Sequence, residues 1–176
     1  MNRNVILLTI MFFGLALLAR AQRQDDAVEV RIDHLEPTPI GVSLTLRAAD
    51  SHDSIHMMIG LPEGQSILRA MHRQPSDRPL SHDLFKSFLD RNGWKVKKVV
   101  IRDLKAGTFF ADLALENDHE SQVYDARPSD AMAIGIRFGA KIYVNSNVFE
   151  EQKKREGGDK DQEKEEKSDQ PEQLKL

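Results

Sequence analysis

Hydrophobic and polar residues alternate in the first part of the chain, and a period of two is typical of strands with one buried face. The alternation is clear at residues 28–32 and 42–47, with a turn predicted between them at residues 37–41. A more apolar run at residues 54–59 predicts a third strand. Together these segments predict a strand meander.

Three later segments change to the spacing of a helix. One starts after Gly60, one has Ser81 as a suitable N-cap, and one starts at Pro128, whose fixed φ and missing N–H suit the first helical position. Each start is followed by hydrophobic residues that share a helical face: Ile67, Leu68 and Met71, then Leu84, Phe85, Phe88 and Leu89, then Ala131, Ile134 and Phe138.

Further strands are predicted at residues 94–101, 108–116, 122–125 and 141–144. Because strands come first as a meander and later alternate with helices, the order favours an α+β fold over a pure parallel sheet or a sandwich. We predict a mixed, curved β-sheet of about six or seven strands packed with about three α-helices in a single domain.

The first 21 residues have the layout of a secretory signal peptide. Arg3 gives a positive start, residues 5–18 an apolar core, and Ala19 and Ala21 the small residues of a cleavage site. The apolar run has 14 residues, whereas a membrane-spanning helix needs roughly 20. We therefore expect cleavage and export to a periplasm or the medium, with no stable membrane anchor and a domain at residues 22–149.

Residues 150–176 differ in composition from the rest of the chain. They contain ten acidic and seven basic residues but only two leucines, too little apolar surface to offset the entropy of ordering. We predict a disordered charged tail, whose removal after Phe149 leaves stability unchanged. The rest of the chain has 18 basic and 18 acidic residues, so global charge does not indicate a nucleic-acid binder.

The most unusual segment is Asp-Ala-Arg-Pro-Ser-Asp-Ala at residues 125–131. Asp125 ends a predicted strand, and Asp130 falls in the first turn of a helix, near the positive end of its dipole. Two interpretations are open. The corner binds an anion or a metal, or Asp130 caps the helix while Asp125 pairs with Arg127.

Two other segments accompany this corner: a glycine-x-x-glutamate step from Gly60 to Glu63, and Arg-Pro-Leu-Ser-His-Asp-Leu at residues 78–84. In this order the segments resemble the bifunctional nuclease domain family, over roughly residues 28–149. Gly64 departs from the family pattern, which usually has alanine there, and we expect this to affect only the stiffness of the helix start. The resemblance implies that the three segments meet at one site.

Phosphodiester cleavage needs positive charge around the phosphate and an activated water, commonly supplied by metals held on carboxylates. Asp125 and Asp130 are candidate ligands for Mg²⁺ or Mn²⁺, with Asp83 or Glu63 completing the site. The chain has no cysteine, which excludes a thiolate nucleophile and a cysteine zinc site.

Other candidates would bind phosphate or move protons. The guanidinium groups of Arg78 and Arg127 could clamp a phosphate. His82, beside Asp83, is the candidate general base, and the alternative is that it hydrogen-bonds the helix start or neighbouring backbone. Lys95 and Lys97 share a strand face beside an aromatic residue, where they would track a phosphate backbone or simply protect a strand edge.

The resemblance supplies the reaction class. It implies an exported, metal-assisted nuclease that hydrolyses DNA and RNA with little sequence specificity. The alternative is a non-catalytic module that binds nucleic acid or protein. Apolar edge strands also make a homo-oligomer plausible.

The signal-peptide interpretation predicts a mature N-terminus at Gln22, because Ala19 and Ala21 occupy the −3 and −1 positions of the cleavage site. Intact-mass analysis of the exported protein measures this directly. Membrane-bound protein that retains residues 1–21 would contradict it.

Overall fold

The computed structural model describes the backbone of residues 26–168 and the side chains of residues 26–157. The signal-peptide segment and residues 169–176 lie outside this range. The strands are β1 Ala27–Thr38, β2 Gly41–Ala48, β3 Ser54–Ile59, β4 Lys95–Lys105, β5 Thr108–Glu116, β6 Ser121–Ala126 and β7 Lys141–Asn145. The helices are α1 Leu61–Met71, α2 Ser81–Arg91, α3 Pro128–Arg137 and α4 Ser146–Ser168.

The seven strands between residues 26 and 168 form one curled sheet in the order β3-β2-β1-β7-β4-β5-β6. Strand β7 pairs antiparallel with β1 and parallel with β4, so the sheet is mixed. The predicted α+β single-domain fold is therefore confirmed. None of the helices in this part of the chain is both long and apolar enough to span a membrane.

The core forms where α1 and α3 pack on the sheet. Ala131, Met132 and Ala133 of α3 are fully buried, as are Leu44 and Leu46 of β2. The sheet and these helices therefore hold the helix starts in fixed positions.

Gly64 lets α1 approach strand β2 closely. A Cβ atom at this position would lie 2.5 Å from Cγ2 of Val42. We expected glycine in place of alanine to affect only the stiffness of the helix start. The contact with Val42 shows that it also affects the packing of α1 on β2.

The start of α2 differs from the prediction. Leu80, rather than Ser81, is the N-cap, and the Asp83 carboxylate accepts a hydrogen bond of 2.9 Å from its backbone N–H. A carboxylate at the third helical position satisfies a free helix N–H in the same way as in a capping box. Of the apolar face predicted for this helix, only Leu89 is buried.

Helix α4 runs from Ser146 to Ser168 and so enters the segment predicted as a charged tail. The domain boundary at residue 149 and the disorder of the tail stay predictions. Val148 and Phe149 in its first turn are buried in the core, and the following lysine, glutamate, glutamine and arginine residues are good helix formers.

Gln152 of α4 contacts the backbone of strand β3. Its Oε1 accepts a 3.0 Å hydrogen bond from the His56 backbone N–H, and its Nε2 donates one of 3.2 Å to the His56 carbonyl. The side-chain amide thus pairs with the edge strand β3.

We predict that Gln152→Ala lowers the free energy of unfolding by about 1 kcal/mol, because the edge strand loses both hydrogen bonds. For a domain of this size, this corresponds to a fall in Tm of about 4 °C in a thermal melt. Truncation after Phe149 should lower the Tm at least as much. Glu151→Ala is the matched control, because that side chain bonds Lys154 of the same helix. An unchanged Tm after truncation would support the disordered tail instead.

Candidate functional site

The starts of α1, α2 and α3 meet, and they bring together four of the side chains singled out in the sequence. Glu63 is the third residue of α1, His82 the second of α2 and Asp130 the third of α3, with Arg127 as the N-cap of α3. We call Glu63, His82, Arg127 and Asp130 the Arg127 cluster.

Arg127 joins the two carboxylates of this cluster. Its Nη2 donates a 2.8 Å hydrogen bond to Glu63 Oε1 and one of 3.1 Å to Asp130 Oδ1, and its Nε donates one of 2.6 Å to Asp130 Oδ2. The hydrogen bond with Asp130, and to a smaller extent the one with Glu63, raises the pKa of Arg127 above its usual value. Because the Arg127 side chain is 66% exposed, its planar fork is accessible to a phosphate.

Asp130 stays ionised in this setting. Partial burial raises its pKa, but hydrogen bonds from Arg127 and His82 outweigh this effect and leave the pKa below its usual value. The cluster therefore presents a fixed carboxylate beside an exposed guanidinium.

Both ring nitrogens of His82 are engaged. Nδ1 lies 2.9 Å from Ser66 Oγ, and Nε2 lies 3.2 Å from Asp130 Oδ1. The side chain is only 15% exposed, so neither nitrogen is free to take a proton from water in this arrangement. These two contacts hold the ring of His82 against Asp130, and its role as general base stays a prediction.

Asp83 belongs to a neighbouring group around Arg137. Arg137 is 8% exposed, and its Nε donates a 2.8 Å hydrogen bond to Asp83 Oδ1. Its other nitrogens donate to Ser66 Oγ at 3.0 Å, the Ser66 carbonyl at 3.3 Å and the Ala133 carbonyl at 2.7 Å. Burial raises the pKa of Asp83, but the hydrogen bonds from the Leu80 N–H and from Arg137 lower it by a larger amount, so the pKa lies below its usual value.

Sequence reasoning missed Ser66 and Arg137, and both position the cluster. Ser66 links His82 to Arg137. Arg137 follows Asp130 by seven residues, a spacing that places both on one helical face. That spacing could have indicated from the sequence that Arg137 lies near the site, whereas no sequence pattern pointed to Ser66.

Asp125 is not part of the Arg127 cluster. Strand register places it opposite Asp112, and both carboxylates bind Arg102, with a distance of 2.7 Å from Arg102 Nη2 to Asp125 Oδ1. Its side chain is 71% exposed. Among the described side chains, Asp125 thus bonds Arg102 while Asp130 bonds Arg127 and His82, and their joint role as metal ligands stays a prediction.

The remaining predicted phosphate-binding residues are dispersed. Arg78 and Lys95 are exposed, and Lys97 Nζ lies 2.9 Å from Glu116. Within residues 26–157, no hydrogen bond or ion pair joins any of the three to the Arg127 cluster.

Gly60 explains the glycine-x-x-glutamate step. A Cβ atom at residue 60 would lie 2.2 Å from Oε2 of Glu63. With a larger residue at position 60, the Glu63 side chain would have to shift from the position in which it folds back over the helix start and reaches Arg127.

The donor set fits a divalent ion only in part. In the described part of the chain, no group of three or more histidine, aspartate or glutamate side chains is arranged to hold a metal. Mg²⁺, however, is often held by one or two carboxylates together with substrate phosphates and waters. Glu63 and Asp130, which share Arg127, could serve as such a pair.

The part of the chain that contains these helix starts also matches a known family. Residues 44–156 match the family model described as the bifunctional nuclease domain. This chain belongs to the bifunctional nuclease domain family.

Named relatives extend the comparison. Uncharacterized proteins of two Mycobacterium tuberculosis strains are each 34% identical over 122 residues, which cover 69% of this chain and 71% of theirs. A rice protein named bifunctional nuclease 2 (Oryza sativa subsp. japonica) is 31% identical over 110 residues, 60% of this chain and 34% of the rice protein.

We predict that the protein loses stability in acid as Asp83 and Asp130 become protonated. Their folded-state pKa values are lowered from 3.8, so their contribution is fully present above the unfolded-state pKa and is lost as pH falls below about 4 through the folded-state values. Denaturant unfolding between about pH 5 and pH 2 measures this slope. Asp83→Asn and Asp130→Asn should each flatten it, whereas an unchanged slope in both variants would contradict the prediction.

Proposed function

We propose that this protein is an exported nuclease that hydrolyses phosphodiester bonds of DNA and RNA with little sequence specificity, and that the Arg127 cluster is its active site. Family membership supports a nuclease-like or nucleic-acid-binding function. The observation that carries the choice of site is the exposed guanidinium of Arg127 between the carboxylates of Glu63 and Asp130.

In the proposed mechanism, Arg127 binds the substrate phosphate. As its N–H groups turn to phosphate oxygens, they release the carboxylates of Glu63 and Asp130, which would then be available to hold a divalent cation. His82 keeps Asp130 in place, because its ring is fixed by Ser66 on the other side. The guanidinium of Arg127 would then stabilise the negative charge that develops on the phosphate oxygens.

A divalent cation, Mg²⁺ or Mn²⁺, is part of the proposal. Glu63 and Asp130 would hold it together with the substrate phosphate, and when bound it would supply positive charge and lower the pKa of a bound water. Asp125 has no part in this set, since Arg102 holds it.

Export is proposed from the sequence alone. The charged start, the apolar core and the small residues at the end of the first 21 residues carry this part of the proposal. It is independent of the chemistry at the Arg127 cluster.

Cleavage of end-labelled single-stranded DNA and RNA tests the function. We predict cleavage with Mg²⁺ or Mn²⁺ that stops on chelation, and a loss of about a hundredfold in Asp130→Asn and in Arg127→Gln, since each removes a group from the reacting centre. Asp125→Asn is the matched control, because Asp125 binds a different arginine, and it should stay within about twofold of wild type.

Two results would contradict the proposal. Cleavage that survives both cluster substitutions would point to another site or a contaminating nuclease. Binding that weakens steeply with salt but yields no cleavage products under any metal condition would favour the non-catalytic module.

A further inference from the structure

Four cationic side chains form a row across the middle of the sheet. Strand register places Arg47 of β2 opposite Arg31 of β1. It likewise places Lys141 of β7 opposite Lys98 of β4. The antiparallel register of β1 and β7 brings Arg31 next to Lys141, so the row crosses four neighbouring strands. We call Arg47, Arg31, Lys141 and Lys98 the cationic row.

The cationic row lies on the face of the sheet that points away from the core. In each of the four strands a direct neighbour of the row residue is buried, namely Leu46, Val30, Ile142 and Val99. Successive side chains of a strand point to opposite faces, so the row points to solvent. Three of its members are exposed, and Lys98 is half-buried.

Like charges directly opposite each other in a sheet are destabilising, so the row is a cost to the fold. Two of its members are paired within the protein. Glu29 accepts a 2.7 Å hydrogen bond from Lys141, and Asp33 accepts one of 2.8 Å from Nε of Arg47. These pairs offset only half of the positive charge in the row.

The other two members are Arg31 and Lys98. Within residues 26–157, no carboxylate lies at salt-bridge distance from either of them. The hydrogen bond with Glu29 raises the pKa of Lys141, whereas the charge of Arg31 acts against this rise, as expected for two neighbouring cations. The row therefore keeps an excess of two positive charges, which favours a polyanion as its partner.

An aromatic ring lies beside the row. Tyr143 follows Lys141 by two residues and so shares its face, and Lys98 Nζ lies 6.0 Å from the centre of the Tyr143 ring. Proteins that bind nucleic-acid single strands combine cations for the phosphates with aromatic rings for the bases. Strands lie about 4.8 Å apart, so the row is about 14 Å long, which corresponds to about four nucleotides at a rise of about 3.4 Å.

An anionic lipid surface fits this face less well. Membrane-surface sites combine cations with large apolar side chains that enter the acyl boundary. The side chains beside the cationic row are instead the carboxylates of Glu29 and Asp33 and the half-buried ring of Tyr143. A flexible single strand can place its phosphates on the cations and avoid the two carboxylates.

The row is continuous with the strand that leads to the Arg127 cluster. From Lys98 the register continues through Ala114 of β5 to Val123 of β6. Arg127 follows Val123 by four residues, which is about 13 Å along an extended strand. A single strand that lies on the row and continues past β6 would be directed toward Arg127.

We propose that a nucleic-acid single strand binds along the cationic row, with its phosphates on the arginine and lysine side chains and a base beside Tyr143. The role of this surface in holding substrate rests on the proposed nuclease function, whereas the binding itself does not. Binding of this kind is independent of base sequence, because the row contacts only phosphates.

Fluorescence anisotropy with a labelled oligothymidylate tests the proposal, in EDTA so that no cleavage takes place. The measurement follows affinity from about 50 to about 200 mM salt. In the double variant Arg31→Gln/Lys98→Gln, the slope of log affinity against log salt should fall by about 1.4, because each phosphate contact of a single strand contributes about 0.7. Tyr143→Leu should weaken binding at least about fivefold and leave the slope unchanged.

Lys105→Gln/Lys154→Gln is the matched control. It removes the same charge from exposed positions outside the row, where these lysines pair with Asp103 and Glu151. Its affinity and salt slope should stay within about twofold of wild type. The row variant should melt at or above the wild-type Tm, because it relieves repulsion between like charges, so weaker binding cannot be attributed to unfolding.

Three outcomes would overturn the proposal. The row variant could keep the wild-type salt slope. The control could lose as much affinity as the row variant, which would make the effect one of net charge. The row variant could bind the oligonucleotide normally but lose binding to vesicles of anionic phospholipid, which would make the row a membrane surface.

These outcomes are distinguishable from a failure of the proposed nuclease activity. Row-dependent binding by a protein that cleaves with no metal would support the cationic row and contradict the nuclease. Metal-dependent cleavage with an unchanged salt slope in the row variant would support the nuclease and contradict the row.

Discussion

The buried guanidinium of Arg137 holds three helices in one arrangement. It bonds the Asp83 carboxylate on α2, the side chain and carbonyl of Ser66 on α1, and the Ala133 carbonyl in its own helix. A charge this deeply buried is strongly unfavourable without partners, so the helix starts cannot separate without exposing or orphaning it. Ser66 also contacts His82, so the geometry of the Arg127 cluster depends on this interaction.

The two arginines at the ends of α3 have different tasks because their exposure differs. Arg137 is sealed in the interior and uses its donors on fixed acceptors of the fold. Arg127 shares its donors between Glu63 and Asp130 but remains open to solvent, which is why we propose it as the group that binds phosphate. Both residues are arginines near a helix end, so residue type and position do not distinguish them. The difference between them is the burial of the side chain.

Local patterns predicted the sheet and the start of α3 because period-two alternation and the stereochemistry of Pro128 act over a few residues. Longer-range features were not predictable in this way. Asp125 and Asp130 are close in sequence, but strand register directs Asp125 to Arg102 while α3 directs Asp130 to His82. Helix α4 was missed because residues 150–168 carry too few apolar residues to show a helical pattern, although the helix begins at Ser146 and continues through them.

If the Arg127 cluster is the active site, a phosphate backbone engages Arg127 and not the other arginine–carboxylate group at Arg102. An NMR titration with a cleavage-resistant phosphorothioate single strand, which follows the arginine Nε–H signals, tests it most directly. The Arg127 signal should shift in proportion to bound strand while the Arg102 signal does not move. Shifts at Arg102 with an unperturbed Arg127 would contradict it.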